Sequence, residues 1–265
     1  MFKKRNFPAL ILNLLKDQSA RIILILFFFS NAYGLIIESD KLETVIDYIT
    51  PGTLVIFDID NTLARPTEEL SSDEWFCYLV NKKMAEGYDY ITSVYYALPV
   101  TYYAQFNVPL EPTECIVPFL IAQLIAHKIH VMALTTRSLF VAERTLEQLE
   151  NIDVHFLIPD ISQDDLVLPM SYPCFYKQSI LFGGNNDKGE VLKYFFEHMS
   201  YYPEKIIFID DKMKYLLSVE KALEQYNILF VGIRYSGCDE RVTNFDPTKA
   251  EAQWRMLRTK NKTSN

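Results

Sequence analysis

The chain has 265 residues, 49% hydrophobic and 23% charged, which is enough for one sizeable core and too apolar for global disorder. A net charge of −8 argues against nonspecific binding to nucleic acid through the bulk surface. The four cysteines, Cys77, Cys115, Cys174 and Cys238, are too widely spaced for a zinc ribbon or a CxxC redox motif. They read as buried thiols or one bridge whose pairing the spacing leaves open.

The N-terminus differs from the rest. Lys3, Lys4, Arg5, Lys16 and Arg21 precede the apolar run Ile22 to Phe29, and Ala32 and Gly34 form a small-x-small site. Basic, apolar and small regions in that order read as a secretory signal peptide cut after Gly34, and so as an exported protein, periplasmic or secreted. The run is shorter than the roughly 20 apolar residues of a membrane span. An uncleaved anchor through residues 22–29 and an amphipathic helix from Phe7 to Leu15 are the alternatives. Residues 1–34 carry five basic residues and one acid, so the remainder carries −12.

Apolar residues at Leu42, Val45, Ile46 and Ile49 have helical spacing, and Pro51-Gly52 stops that helix. Leu54 to Phe57 then reads as a strand buried on both faces, and it ends in Asp58, Asp60 and Thr62. Unpaired carboxylates at the end of a buried strand are costly, so the strand end is expected to open into a polar site. The alternative for this stretch is a turn or helix cap.

Residues 64–112 exceed a simple strand-to-helix connection. Ser71-Ser72-Asp73-Glu74 has the S-x-x-E capping-box pattern, predicting a helix from Asp73 to Glu86. A second, aromatic-rich helix is predicted from Tyr88 to Phe106, disturbed at Pro99. The pair reads as a helical cap insertion over 65–112, whose tyrosines serve its own core or line a substrate entrance. Beyond it come a helix over 116–127, a strand from His130 to Thr135 and a helix over 140–149. A strand is predicted over Val154 to Ile158, and a loop or short hairpin over 160–178. A short strand over 179–182, a helix opened by Lys188, a strand from Lys205 to Asp211, a helix to Tyr226 and a strand over 228–233 complete the alternation. The tail, residues 260–265, is polar and expected to fray. This order implies an α/β fold: a Rossmann-like parallel sheet flanked by helices, with core segments 35–64 and 113–259.

In a parallel sheet the reactive strand ends lie on one edge. Asp58/Asp60, Thr135 and Asp210/Asp211 end three strands, and Lys188 opens a helix beside them. Asp58-Ile-Asp60-Asn-Thr62, Thr135, Lys188 and Asp210-Asp211, in that order, resemble the four motifs of the haloacid dehalogenase-like (HAD) superfamily, phosphatase branch. The resemblance runs from about Val45 to Ile233. One departure is Asn61, where many members have glycine; asparagine tolerates unusual backbone angles better than most residues.

The resemblance implies an Mg²⁺-dependent phosphomonoester hydrolase acting on a small phosphorylated substrate. Asp58 would be the nucleophile and a metal ligand, with Asp210 and the backbone carbonyl of Asp60 completing the protein's share of the coordination. Asp60 would be the general acid and base. Thr135 and Lys188 would bind the phosphoryl oxygens. Asp211 would reach the metal through water or orient Lys188, and Thr62 would support the loop. Carbon–halogen-cleaving members lack an acid at the Asp60 position and transport ATPases carry Thr there, so Asp60 points to a phosphatase or, less commonly, a phosphomutase. Arg137 reads as a surface ion pair, and His127, His130, His155 and His198 as structural or surface residues. The alternatives are a slow member serving as a secreted binding protein, or a phosphotransferase. No stable membrane partner is expected after signal cleavage, and oligomeric state is left open.

Overall fold

The computed structural model describes residues 34–262. The signal-peptide or anchor reading, residues 1–34, lies outside the described residues except for Gly34. From there the chain enters the sheet through β1 (Leu35–Ser39), an element the sequence pattern did not announce. Residues Leu42–Tyr48 form a 3-10 helix where an ordinary helix is predicted. Then β2 (Thr53–Phe57) carries five consecutive buried residues.

β3 (Ala64–Pro66), α1 (Asp73–Ala85), α2 (Tyr90–Asn107) and β4 (Leu110–Pro112) follow, and β3 and β4 pair antiparallel at the base of the two helices. The expected capping box does not form. Ser72, one residue later than Ser71, caps α1 by accepting the Trp75 N–H at 3.0 Å, while Glu74 turns away to Asn61. Pro99 sits inside α2, which Asp89 caps.

Next come α3 (Val117–Ala126), β5 (His130–Thr135) and α4 (Ala142–Glu150). The strand predicted over Val154 to Ile158 is reduced to one bridge between Leu157 and Val131. β6 (Leu166–Leu168), β7 (Cys174–Lys177) and β8 (Ile180–Phe182) form an antiparallel run. The chain then builds α5 (Lys188–Met199), β9 (Lys205–Asp210), α6 (Met213–Leu223), β10 (Leu229–Tyr235), α7 (Asp239–Thr243) and α8 (Pro247–Lys262). The helix α8 continues past Lys260, where the composition predicts a frayed tail.

The sheet order is β1-β10-β9-β2-β5-β8-β7-β6, parallel from β1 through β8. Alternation along the central strands divides the core. Val55, Phe57, Val131, Ala133, Ile207 and Ile209 pack with α3 and α4 on one face. Leu54, Ile56, Met132, Leu134, Ile206 and Phe208 pack with α5 and α6 on the other. A separate cluster joins α1 and α2 to the C-terminal helix through Leu70, Trp75, Ala104, Val108, Ala250 and Trp254. The chain runs from β2 outward to β5 and β8, then returns to β9 and β10 on the other side. This reversal leaves a crevice at the carboxyl ends of β2, β5 and β9, where open α/β sheets take their ligands.

Candidate active site

Asp58 follows β2 directly and is 5% exposed; its N–H still donates to the Ile209 carbonyl at 2.9 Å. The chain then turns tightly, with the Ile59 carbonyl accepting from Thr62, Leu63 and Ala64. Asn61 stands at φ 59, the left-handed region, and donates its side-chain amide to Glu74 at 3.0 Å. The Thr62 hydroxyl accepts the Asp211 N–H at 3.1 Å, and the Thr62 carbonyl accepts from Thr113 at 2.6 Å. So Thr62 braces the turn after Asp58 and Asp60 against the Asp210-Asp211 pair.

Lys188 opens α5 and is fully buried. Its ammonium donates to Asp58 Oδ1 and to Asp210 Oδ2, each at 2.7 Å, and lies over the Tyr215 ring at 4.6 Å. Burial works against this charge, but the two carboxylates overcome it and raise the Lys188 pKa above its usual value. Burial pushes Asp58 up to about 7: Lys188 opposes the shift, and Asp210 and Asp60 add to it. Burial likewise pushes Asp211 up to about 8, against the nearby Lys212.

Asp58, Asp210 and Asp211 offer carboxylate oxygens within 4.8 Å of one another. Asp211 Oδ1 is buried with no hydrogen-bond partner in the structure. An all-oxygen donor set with a spare buried oxygen fits a hard cation such as Mg²⁺. Lys188 takes its orientation from Asp58 and Asp210, the part the sequence reading offered to Asp211.

Thr135 ends β5, beside β2, and is fully buried. Its hydroxyl accepts the Arg137 N–H at 3.1 Å and keeps its own hydrogen to donate. Asp60 lies apart from the carboxylate triplet. Its two oxygens take a fork from Arg137, Nε to Oδ2 at 2.8 Å and Nη2 to Oδ1 at 2.7 Å. Arg137 is 4% exposed, so its reading as a surface ion pair is corrected. Its remaining nitrogen, Nη1, donates to Thr145 at 3.1 Å and Gln148 at 2.9 Å. The available signal was Thr145 and Gln148 themselves, two polar residues on the inward face of an otherwise amphipathic helix.

The first turn of α1 closes one side of the crevice. Asp73 accepts from Lys212, and although burial pushes its carboxyl up, Lys212, Arg137 and Lys188 together hold it below the usual range. The Tyr102 ring of α2 meets Phe140, three residues after Arg137, at 6.3 Å. All four cysteines are free, Cys77 and Cys115 exposed, Cys174 and Cys238 buried. Among the described residues no helix is long and apolar enough to cross a membrane.

Residues 38–265 match the family described as "Protein of unknown function (DUF2608)". The chain belongs to the DUF2608 family. It is 29% identical over 204 residues to a Chlamydia trachomatis protein named "Putative outer membrane protein", covering 76% of this chain and 75% of that one. A solved haloacid dehalogenase-like family hydrolase from Streptococcus pneumoniae aligns at 12% identity and a TM-score of 0.42, over 68% of this DUF2608 chain and 93% of that one. A phosphoserine phosphatase solved as a phospho-aspartyl intermediate analogue aligns at 15% identity and a TM-score of 0.37, over 73% and 98%.

Proposed function

We propose that this DUF2608 protein is an exported Mg²⁺-dependent phosphomonoester hydrolase that works through an aspartyl-phosphate on Asp58. One observation carries the reading: Lys188 bridges Asp58 and Asp210 while a partnerless oxygen of Asp211 is buried beside them. A carboxylate attacks a phosphate anion only where positive charge offsets the repulsion. Lys188 supplies part of that charge, and Mg²⁺, when bound by Asp58, Asp210, Asp211 and the Asp60 carbonyl, supplies the rest.

In this reading an Asp58 oxygen attacks phosphorus and the ester P–O bond breaks. The leaving oxygen takes a proton from Asp60 and departs as an alcohol. Asp60 then accepts a proton from water as the water oxygen attacks phosphorus, and the acyl-phosphate P–O bond breaks to regenerate Asp58. Thr135 and Lys188 hold the phosphoryl oxygens, and Thr62 supports the loop. Residues 65–112 form the lobe that screens this chemistry, with 35–64 and 113–259 as the core. The export reading is supported by the basic, apolar and small regions of the N-terminus and agrees with the name of the chlamydial relative. An added alcohol competing with water as acceptor distinguishes a phosphotransferase.

A second reading has its own observation. Residues 90–110 contain no charged side chain, and Tyr90, Ile91, Tyr95 and Tyr96 are exposed on α2. That surface favours a binding role for a catalytically slow protein. The test is phosphate release from a nitrophenyl ester with Mg²⁺. The wild-type chain is expected to turn over and Asp58→Asn to be inactive. A wild-type chain inert toward every ester in a phosphorylated-metabolite panel overturns the enzyme reading.

A further inference from the structure

The reading above gives Asp60 a proton-transfer role but leaves open what holds its carboxylate in place. Arg137 does so with two of its three nitrogens. The fork takes one lone pair from each Asp60 oxygen. The lone pairs directed away from the guanidinium are the ones left to carry a proton toward a leaving oxygen. Arg137 therefore fixes the direction from which Asp60 can act.

Arg137 is itself tied down. Nη1 donates to Thr145 and to Gln148 Oε1, and the Arg137 backbone N–H donates to Thr135. Gln148 is 1% exposed, and its amide nitrogen donates to the Gln105 carbonyl at 3.1 Å and the Val108 carbonyl at 2.7 Å. These carbonyls lie at the C-terminal end of α2, where a helix leaves its last carbonyls without internal partners. Arg144 adds a second donor to the Gln105 carbonyl at 3.3 Å. Only one orientation of the Gln148 amide serves both sides: guanidinium nitrogens only donate and carbonyls only accept. A buried chain of hydrogen bonds thus runs from Asp60 through Arg137 and Gln148 to the last turn of α2.

We infer that Arg137 is the positioning residue for Asp60, and that Gln148 ties that position to the end of α2, so that Asp60 is aimed only when the helical insertion is seated. This inference rests on the phosphatase reading of the site. It makes Asp60's delivery of a proton to the leaving oxygen, the step in which the ester P–O bond breaks, depend on a helix that holds no acidic motif.

The test compares two esters with the full chain and Mg²⁺. A nitrophenyl phosphate has a leaving group that departs without protonation; an alkyl phosphate has one that needs it. The variants are Arg137→Met, Arg137→Lys and Gln148→Leu, with thermal melts to confirm folding. Arg137→Met is expected to lose about 10- to 100-fold in kcat/KM on the alkyl ester and under about threefold in kcat/KM on the nitrophenyl ester, because kcat/KM reads the step up to leaving-group departure and not the hydrolysis of the Asp58 phosphate that both esters share. Arg137→Lys is expected to recover part of the alkyl-ester rate, because one ammonium replaces one arm of the fork. Gln148→Leu is expected to show the same imbalance more weakly, and it carries the test if Arg137→Met does not fold. Equal losses on both esters, or none, overturn the inference and leave the phosphatase reading standing. A wild-type chain inert on both esters overturns both.

Discussion

The Lys188 ammonium lies 2.7 Å from Asp58 Oδ1 and 2.7 Å from Asp210 Oδ2, so one cation serves two acids from neighbouring strands, all three side chains being nearly inaccessible to solvent. Removing one partner of a buried ionic group leaves uncompensated charge, at a cost of about 3–5 kcal/mol. Lys188→Met is expected to lose about that much in urea unfolding at pH 8. The loss should shrink at pH 5, because Asp58, already pushed up to about 7, can then neutralise itself with a proton. A loss that is the same at both pH values argues that the ammonium is not what keeps Asp58 ionised.

Asp58 at about 7 and Asp211 at about 8 both lie above the ordinary aspartate value of about 3.9. The folded chain therefore holds protons that the unfolded chain has released. Their stabilising contribution is complete below pH 4 and is lost as pH rises through 7 to 8. In EDTA the melting temperature should fall between pH 5 and pH 8. Binding of Mg²⁺ needs these carboxylates without their protons, so the gain in melting temperature on adding Mg²⁺ should be larger at pH 8 than at pH 5. Equal gains at the two pH values would contradict the assignment of these acids as the cation's ligands.

Asn61 sits at φ 59 between Asp60 and Thr62, and its side chain donates to Glu74 on α1. Asn61→Gly keeps the left-handed backbone and loses one hydrogen bond, so it should cost about 1 kcal/mol. Asn61→Val adds the left-handed penalty of about 1–2 kcal/mol to that loss. Urea midpoints of the two variants measure the difference, and activity should follow the same order because the turn carries Asp58 and Asp60.

The central strands and the acidic motifs were legible because burial writes them plainly: an uninterrupted apolar run that ends in carboxylates leaves few alternatives. Asn61 was legible for a related reason, since its place in the tight turn after Asp60 demands a backbone angle that few residues accept. Arg137 was not legible. A cation after a strand reads as solvated until the facing helix places Thr145 and Gln148 against it, and those contacts span 8 and 11 residues. β1 escaped because it is an edge strand with only partial burial, and its partner β10 lies nearly 200 residues away. Val154 to Ile158 looked like a strand because its burial alternates, yet it meets the sheet at a single bridge beside β5. Local pattern records burial, whereas pairing depends on what the rest of the chain places alongside.

Gly189 follows Lys188 and packs against α6. Its N–H donates to the Ser218 hydroxyl at 2.9 Å, and that hydroxyl donates to Asp187, the residue capping α5. A Cβ at Gly189 would fall inside van der Waals contact of the Ser218 carbonyl oxygen, a backbone atom that cannot swing aside. Gly189→Ala must therefore part α5 from α6 at the turn that aims Lys188. Overpacking of this kind costs about 1–3 kcal/mol, more than the helix propensity that alanine contributes over glycine. The variant should melt earlier and also lose turnover, since the Lys188 ammonium has two oxygens to meet at 2.7 Å. Ser218→Gly in the same chain removes the hydroxyl but not the blocking carbonyl, so it should restore neither stability nor rate. If the double variant recovers both, the hydroxyl and not the backbone sets the spacing of the two helices.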